Sequence, residues 1–370
     1  MVYDDYITYS YRQLNAAIID ENGSFKLKCN INQITDAFLR IENTNYRIFL
    51  VPGMVYELRL GPAFGENKIV IVGSADDELN ASIAKFDSGF ALLTSRYYQD
   101  IITGVNRKFI DSVFTGFTSS HKKPANAFLN SYVDYNTALL KQIIQKNNKT
   151  SFENEYIKSR AVLESHPSYM NFINQYFPKY LYLQSIAPEG EKIVELINNK
   201  KSYEGLMSFL AGNETLANDT LRELLLLMGL YEVYGIKDFR KDMIVDILDS
   251  IALKTQIPNH KKLANNIKRS LTAFNAGAKA PEFILLDQSG NRVALKDFEG
   301  KYVYLNFWAG WCLSCLQDLK RISDLADKYG EKVAFVNICT ACSERGLLSA
   351  AETSRTDTDK NNLLPAGSRA

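Results

Sequence analysis

The segment Asn306-Phe307-Trp308-Ala309-Gly310-Trp311-Cys312-Leu313-Ser314-Cys315 decides the fold that we predict for the C-terminal part of the chain. It closes a nearly continuous apolar run that starts at Lys301, and such a run is typical of a strand buried on both faces. A stripe of apolar residues at spacings of three and four follows and predicts a helix that ends at Gly330. A second apolar run, Val333 to Ile338, predicts the next strand. Strand, helix and strand joined by short links predict a parallel crossover unit and therefore an α/β domain.

The two cysteines of this segment lie where the first strand turns into the helix. A free cysteine has a pKa of about 8.5, so its nucleophilic thiolate is scarce at neutral pH. The unpaired N–H groups and the positive dipole end of a helix N-terminus stabilise that anion. We therefore predict that Cys312 is the attacking thiol and that Cys315, one helical turn later, is the resolving thiol. The alternative interpretation is a pair of ordinary core cysteines.

A second Cys-x-x-Cys pair, Cys339 and Cys342, follows the second strand. Two such pairs suggest a Cys₄ zinc site as one alternative, because adjacent parallel strands end at the same edge of a sheet. We favour a secondary or incidental thiol pair instead, because Cys312 belongs to a helix start and the connection between the pairs is a crossover.

The region before this unit divides into two parts by the period of its apolar residues. Residues 1–75 contain alternating runs separated by turn residues, which predict a small antiparallel β domain. One predicted hairpin turns at Asn22-Gly23, and its second strand places Cys29 on the apolar face as a buried thiol. Residues 76–275 carry stripes at helical spacing and predict a mostly α-helical domain. The histidines His121, His166 and His260 lie in polar stretches, so we predict surface positions for them.

Residues 274–281 form a linker rich in Ala and Gly, and the region beyond it opens with a predicted hairpin. Two short apolar runs, Phe283 to Leu286 and Val293 to Leu295, flank a loop of polar turn residues. This hairpin precedes the strand that leads to Cys312.

Composition restricts the class of protein. The chain has 370 residues, of which 46% are hydrophobic and 23% charged, and its formal net charge is +1. These values are typical of a globular protein, and the balanced charge predicts no nucleic-acid partner. The longest apolar run, Leu224 to Tyr231, is far shorter than the roughly 20 residues of a membrane helix, so we predict no membrane span. The first residues show neither the basic nor the apolar region of a signal peptide.

The segment that ends at Cys315 resembles the active-site segment of thioredoxin-family proteins. The entry at Gly277 to Phe283, the hairpin from Asp287 to Leu295 and the segment Phe298 to Lys301 resemble the TlpA/ResA-like branch of that family. A small β domain followed by a long helical region is similar in layout to the larger TlpA-like proteins of Gram-negative envelopes.

The resemblance implies a thiol:disulfide oxidoreductase that acts on protein disulfides and is served by an upstream thiol reductant. It implies that Cys312 is the nucleophile, that Cys315 is the resolving thiol and that Trp311 packs beside them. It implies no organic cofactor and no bound metal, and it implies a location in the periplasm or cell envelope.

The sequence departs from the family pattern at three places. Leu313-Ser314 stands between the cysteines, where the family commonly has Pro next to the second one. Asn306 stands where some relatives keep a buried acid, and an amide cannot relay a proton. Residues 343–370 lack aromatic residues and the cis-proline strand, hairpin and helix of the family. We therefore predict that residues 276–342 form the first half of a thioredoxin-like domain, that 343–370 form a disordered or non-native tail, and that the chain is truncated at both ends.

Two other functions stay open at this point. In one, residues 1–275 belong to a binding or scaffold protein of the cell envelope whose redox domain is idle. In the other, both Cys-x-x-Cys pairs form a zinc-binding module.

Overall fold

The structure is a computed structural model. It describes residues 1–41, 44–63, 66–73, 78–144, 149–287, 289–341 and 362–364. The chain divides into two compact units, Met1–Ala276 and Gly277–Ala370. The division falls inside the segment that composition marks as a linker. Every helix in the described ranges is too short or too polar to cross a membrane.

The first unit begins with β-strands. Its four-stranded antiparallel sheet has the order β2-β1-β3-β4, and a two-stranded ladder pairs β5 with β6. The strands are β1 Val2–Tyr3, β2 Tyr11–Arg12, β3 Thr35–Ile41, β4 Thr44–Leu50, β5 Glu57–Ala63 and β6 Glu66–Gly73. The strands predicted from alternation within residues 1–75 are confirmed from Thr35 onward, where β3 to β6 lie.

The predicted hairpin around Asn22-Gly23 is wrong in its strands. The turn forms, since Gly23 has φ 75° and its N–H bonds the Asp20 carbonyl at 2.9 Å. Residues 13–34 nevertheless contain no strand. Alternation alone could not supply the neighbouring strand that a ladder needs. Cys29, predicted to be buried, is therefore an exposed free cysteine.

The remainder of the first unit is helical, as predicted. Its α-helices are α1 Glu78–Arg96, α2 Tyr98–Thr103, α3 Arg107–His121, α4 Ala127–Ile144, α5 Lys149–Glu153, α6 Pro167–Tyr176, α7 Tyr180–Ser185, α8 Glu191–Asn198, α9 Tyr203–Leu210, α10 Asp219–Val233, α11 Lys241–Lys254 and α12 Pro258–Thr272. A large core cluster joins α4 to α12, and α10 lies inside it with almost no polar face.

The sheet and the helices of the first unit share a core. Phe49 of β4 packs with Leu79, Ile83 and Phe86 of α1 and with residues of α4. Asn80 of α1 also donates a 2.8 Å hydrogen bond to the Phe49 carbonyl. The division of this unit at residue 75 into two domains stays a prediction.

Two of the three histidines are buried, which corrects the surface positions that we predicted. His260 is fully buried, and its Nδ1 lies 2.8 Å from Oε1 of Glu223. His166 is 6% exposed, and its Nε2 lies 3.1 Å from the Phe128 carbonyl oxygen. Local polar sequence misled the prediction, because His260 falls on the same helix face as Leu263, Ala264 and Ile267.

The second unit contains the predicted parallel crossover. Its strands and helix are β7 Ile284–Asp287, β8 Arg292–Ala294, β9 Tyr302–Ala309, α13 Leu313–Tyr329, β10 Val333–Ala341 and β11 Asn362–Leu364. The sheet order is β8-β7-β11-β10-β9, with β9 and β10 parallel and the β7–β8 hairpin antiparallel. The hairpin, the crossover unit and the helix end at Gly330 are confirmed.

Two expectations for this unit need correction. Strand β9 is not buried on both faces, because it lies at an edge of the described sheet, and Tyr302 is 80% and Phe307 60% exposed. Within the predicted tail, Asn362–Leu364 form a strand between β10 and β7, so the prediction of disorder fails for these three residues. The remainder of 343–370 lies outside the described residues.

Candidate active site

Cys312 and Cys315 form a disulfide where β9 leads into α13. Their Cα atoms are 5.3 Å apart. Cys312 is the N-cap residue of α13, with an extended backbone, and its Sγ accepts a hydrogen bond from the Cys315 N–H at 3.3 Å. The structure thus brings the two predicted cysteines together at a helix N-terminus. Their separate roles as attacking and resolving thiols stay predictions.

The helix N-terminus gives the two sulfurs different surroundings. Cys312 lies ahead of the first helical residue, where backbone N–H groups of the first turn have no partner within the helix. A thiolate formed there upon reduction gains these donors and the positive end of the helix dipole. The Oγ of Ser314 also lies 3.5 Å from the Cys312 sulfur. This arrangement favours negative charge on Cys312.

Two apolar side chains beside the disulfide are exposed. Trp311 is 79% exposed and Leu313 is 76% exposed. The resemblance implied that Trp311 packs beside the cysteines, whereas the structure leaves most of its surface outside the core. Exposed aromatic and aliphatic side chains that flank a reactive bond offer contact surface to a partner.

A small core cluster lies between α13 and the strands. It consists of Trp308 at the end of β9, Leu319 of α13 and Cys339 of β10, and Cys315 packs against it. Trp308 and Cys339 are register partners on adjacent parallel strands. The sequence alone predicts only a secondary or incidental thiol pair for Cys339 and no functional role for Trp308. Pairing the two predicted strands, β9 and β10, in parallel would have placed Trp308 beside Cys339.

A pair of amides links the two parallel strands behind the site. Nδ2 of Asn306 donates to Oδ1 of Asn337 at 3.1 Å, and the two residues are register partners. Neither amide titrates, so this position supplies no proton relay.

The cysteines of the second pair do not support the zinc interpretation. Cys339 is 1% exposed and disulfide-bonded, and Cys342 lies outside the described residues. A sulfur in a disulfide is not the thiolate that zinc requires. In the described parts of the chain, no three His, Cys, Asp or Glu side chains are grouped to hold a metal ion.

Comparison with known proteins supports the same assignment for this region. Residues 276–357 match the AhpC/TSA family. A thiol-disulfide oxidoreductase ResA of Bacillus thuringiensis subsp. konkukian is 45% identical over 56 residues, which are 15% of this chain and 32% of that protein. The thioredoxin-like protein YneN of Bacillus subtilis is 39% identical over 69 residues, which are 19% of this chain and 41% of that protein. The chain thus spans about a third to two fifths of the length of these curated relatives.

Solved structures give weaker likenesses. The thioredoxin domain of a thiol-disulfide oxidoreductase from Bacteroides vulgatus is 27% identical with a TM-score of 0.21, covering 24% of this chain and 63% of that one. A thioredoxin-like protein from Bacteroides caccae is 11% identical with a TM-score of 0.31, covering 52% of this chain and 70% of that one. These scores add nothing to the sequence matches. The sequence matches and the crossover that carries Cys312 and Cys315 together identify the C-terminal region of this chain as a thioredoxin-like domain of the AhpC/TSA family, similar to ResA-type thiol-disulfide oxidoreductases.

Proposed function

We propose that the protein is a thiol:disulfide oxidoreductase that acts on protein disulfides through Cys312 and Cys315. The observation that carries the proposal is the disulfide at the N-terminus of α13, with Cys312 as N-cap residue. The match of this region to ResA-type oxidoreductases supports the same chemistry.

The reaction in the reducing direction needs only the two cysteines and a substrate disulfide. The Cys312 thiolate attacks one substrate sulfur, so a mixed disulfide forms and the other substrate sulfur leaves as a thiolate. Cys315 then attacks the Cys312 sulfur, the second substrate sulfur leaves, and the Cys312–Cys315 disulfide forms again. Two electrons and two protons pass to the substrate, and an external thiol reductant must restore the dithiol.

The surface around the disulfide is suited to an extended protein substrate. Trp311 and Leu313 flank the reactive bond and are mostly exposed, and Phe307 of β9 is 60% exposed. Among the described strands β9 lies at the sheet edge, a position that suits pairing with a strand of the substrate. A small thiol would need neither feature.

The compartment and the reductant are part of the proposal. Disulfide exchange with protein substrates is typical of compartments outside the cytosol, where disulfides persist. We place the protein in the periplasm or cell envelope, as the resemblance to the TlpA/ResA-like branch implies, with an upstream dithiol protein as its reductant.

Turnover of insulin disulfides with dithiothreitol as reductant tests the proposal. The full chain should precipitate insulin B chain faster than dithiothreitol alone, and Cys312→Ser should lower the rate to that of dithiothreitol alone. Cys29→Ser is the matched control, because Cys29 is exposed and free, and it should keep the full rate. Equal rates for Cys312→Ser and the unaltered chain would contradict the proposed function.

A further inference from the structure

A set of large apolar side chains is exposed on the first unit between residues 98 and 109. The exposed fractions are 58% for Tyr98, 61% for Ile102, 53% for Val105 and 56% for Phe109. We call these four side chains the 98–109 surface. Single exposed apolar residues are common, whereas a set of neighbouring ones indicates a site of interaction.

The helices around this surface bring its members together. Tyr98 and Ile102 are one turn apart on α2, so they lie on one face of that helix. Val105 lies in the turn between α2 and α3, and Phe109 lies in the first turn of α3. The Phe109 ring centroid is 6.0 Å from that of Tyr97, the N-cap residue of α2. The start of α3 therefore lies beside the start of α2.

A buried cluster fixes the opposite side of the same segment. Ile101 is 8% and Ile110 1% exposed, and both pack in a cluster with Phe114 and Ile144. Successive residues of a helix point about 100° apart, so the burial of Ile101 turns its neighbour Ile102 outward. The exposure of the 98–109 surface thus follows from the packed fold of the helices.

Three exposed cationic side chains, Arg96, Arg107 and Lys108, border this surface. The guanidinium carbon of Arg96 lies 5.5 Å from the Tyr97 ring centroid. Gly104 ends α2 with φ 70°, and a Cβ there would lie 2.5 Å from Nη2 of Arg107. The Arg107 guanidinium therefore lies against the turn that carries Val105.

Charge indicates the kind of partner that this surface suits. The carboxylates in or next to the segment, Asp100 and Asp111, are half-buried, whereas the three cations are exposed. Apolar and tyrosine side chains bordered by Lys and Arg are typical of surfaces that bind the interface of an anionic bilayer. A protein anchor residue would instead need a pocket, and two cavities of the first unit, of about 480 and 700 Å³, are lined by other residues.

We infer that the 98–109 surface binds the first unit to anionic phospholipid bilayers. Its apolar side chains enter the headgroup region, and the three cations pair with lipid phosphates. The inference goes beyond the proposed function, because the binding needs neither Cys312 nor Cys315. It holds the enzyme at a membrane surface of the compartment in which we place it.

Flotation of the full chain with lipid vesicles tests the contribution of the cations. The chain should float with vesicles of phosphatidylglycerol and phosphatidylethanolamine, and much less with vesicles of phosphatidylcholine. Each Lys or Arg near an anionic bilayer raises affinity about fivefold, so Arg107→Gln/Lys108→Gln should weaken binding by about tenfold or more. Lys237→Gln/Lys261→Gln is the matched control, since both lysines are exposed on other parts of the unit, and it should bind within about threefold of the unaltered chain. Equal losses in the two double variants would overturn the inference.

A second pair of variants tests the apolar contacts. Ile102→Glu/Phe109→Glu should weaken vesicle binding by about tenfold or more, because two inserted side chains become acidic. Ile186→Glu/Leu253→Glu makes the same change of charge at positions that are 62% and 82% exposed, and it should bind within about threefold of the unaltered chain. Similar losses from both pairs would contradict insertion of the 98–109 surface.

A fluorescent label covers the case in which one of these variants folds poorly. Cys29 is the free cysteine of the described residues, so labelling uses a Cys29→Ser background. The label nitrobenzoxadiazole on Val105→Cys should shift its emission to the blue when phosphatidylglycerol vesicles are added, and the same label on Leu253→Cys should not. Vesicle-bound protein without a shift at position 105 would overturn the inference.

The remaining outcomes identify other occupants. No flotation of the unaltered chain would overturn the inference, and analytical ultracentrifugation would then show whether a second copy covers the surface, as a dimer that Ile102→Glu/Phe109→Glu abolishes. Insulin turnover by the unaltered chain tests the proposed function alone. Flotation without turnover would therefore overturn only the proposed function, and turnover without flotation would overturn only this inference.

Discussion

Helix α10 of the first unit and strand β9 of the second are both rich in apolar residues, and they differ in what covers them. In α10, ten of 15 residues are buried, because α7, α9 and α12 pack around it. In β9, only Trp308 and Ala309 of eight residues are buried, since the strand lies at an edge of the described sheet. Apolar composition therefore does not set burial, which depends on the number of elements that pack around the segment. Helix α10 is packed on all sides and stabilises the first unit, whereas the exposed strand β9 leads into the redox site.

Truncation of a buried leucine in α10 should give the largest change in stability. Leu226 is fully buried, and Leu226→Ala should lower the free energy of unfolding of the first unit by about 2–5 kcal/mol, from lost burial and a residual cavity. Leu325→Ala in α13, at 45% exposure, should change stability by about 0.5 kcal/mol or less. Urea unfolding followed by helical circular dichroism reports mainly the first unit. Fluorescence reports the second unit, because the only two tryptophans are Trp308 and Trp311. Similar losses from the two substitutions would refute the contrast between the units.

The buried His166 should make the first unit sensitive to acid. Burial lowers the pKa of His166 from 6.5 to about 4, although the hydrogen bond to the Phe128 carbonyl opposes the change. A histidine whose folded pKa is lowered contributes stability above its unfolded pKa of 6.5, and this contribution is lost as pH falls from 6.5 toward 4. We expect a loss of about 2 kcal/mol between pH 7 and pH 5.

Substitution of His166 by Asn should remove most of that pH dependence. Urea unfolding at pH 7 and pH 5 measures it, and His121→Asn is the matched control, since His121 is half-buried beside exposed Ser120. An unchanged pH dependence in His166→Asn would show that other groups cause the acid sensitivity.

Part of this picture could be predicted from the sequence and part could not. Helices such as α10 and α12, and the strand-helix-strand unit around Cys312, could be predicted because the spacing of apolar residues within each segment is visible in the sequence. The burial of Cys29 and of β9 depends on strands far away in sequence, so alternation around Cys29 predicted a ladder that does not form. His260 could have been predicted, because its spacing to Leu263 and Ile267 places it on the buried face of α12. The neighbourhood of Cys339 and Cys315 needed the strand register, which a single sequence does not provide.

Removal of the second unit should have the smallest effect on the first. The first unit has its own core, so a chain that ends at Asn275 should unfold cooperatively, at a urea midpoint close to that of the helical signal of the full chain. Circular dichroism should show mixed helix and strand content. A broad, non-cooperative transition would mean that the first unit depends on the second for its stability.

The central claim is that Cys312 attacks protein disulfides and that Cys315 resolves the product. Cys315→Ser in a Cys29→Ser background measures it most directly, because a mixed disulfide with insulin can form but cannot be released by Cys315. We predict a covalent complex that reductant dissolves and whose link maps to Cys312 by mass spectrometry. A complex linked through another cysteine, or no complex beside an active unaltered chain, would contradict the assignment.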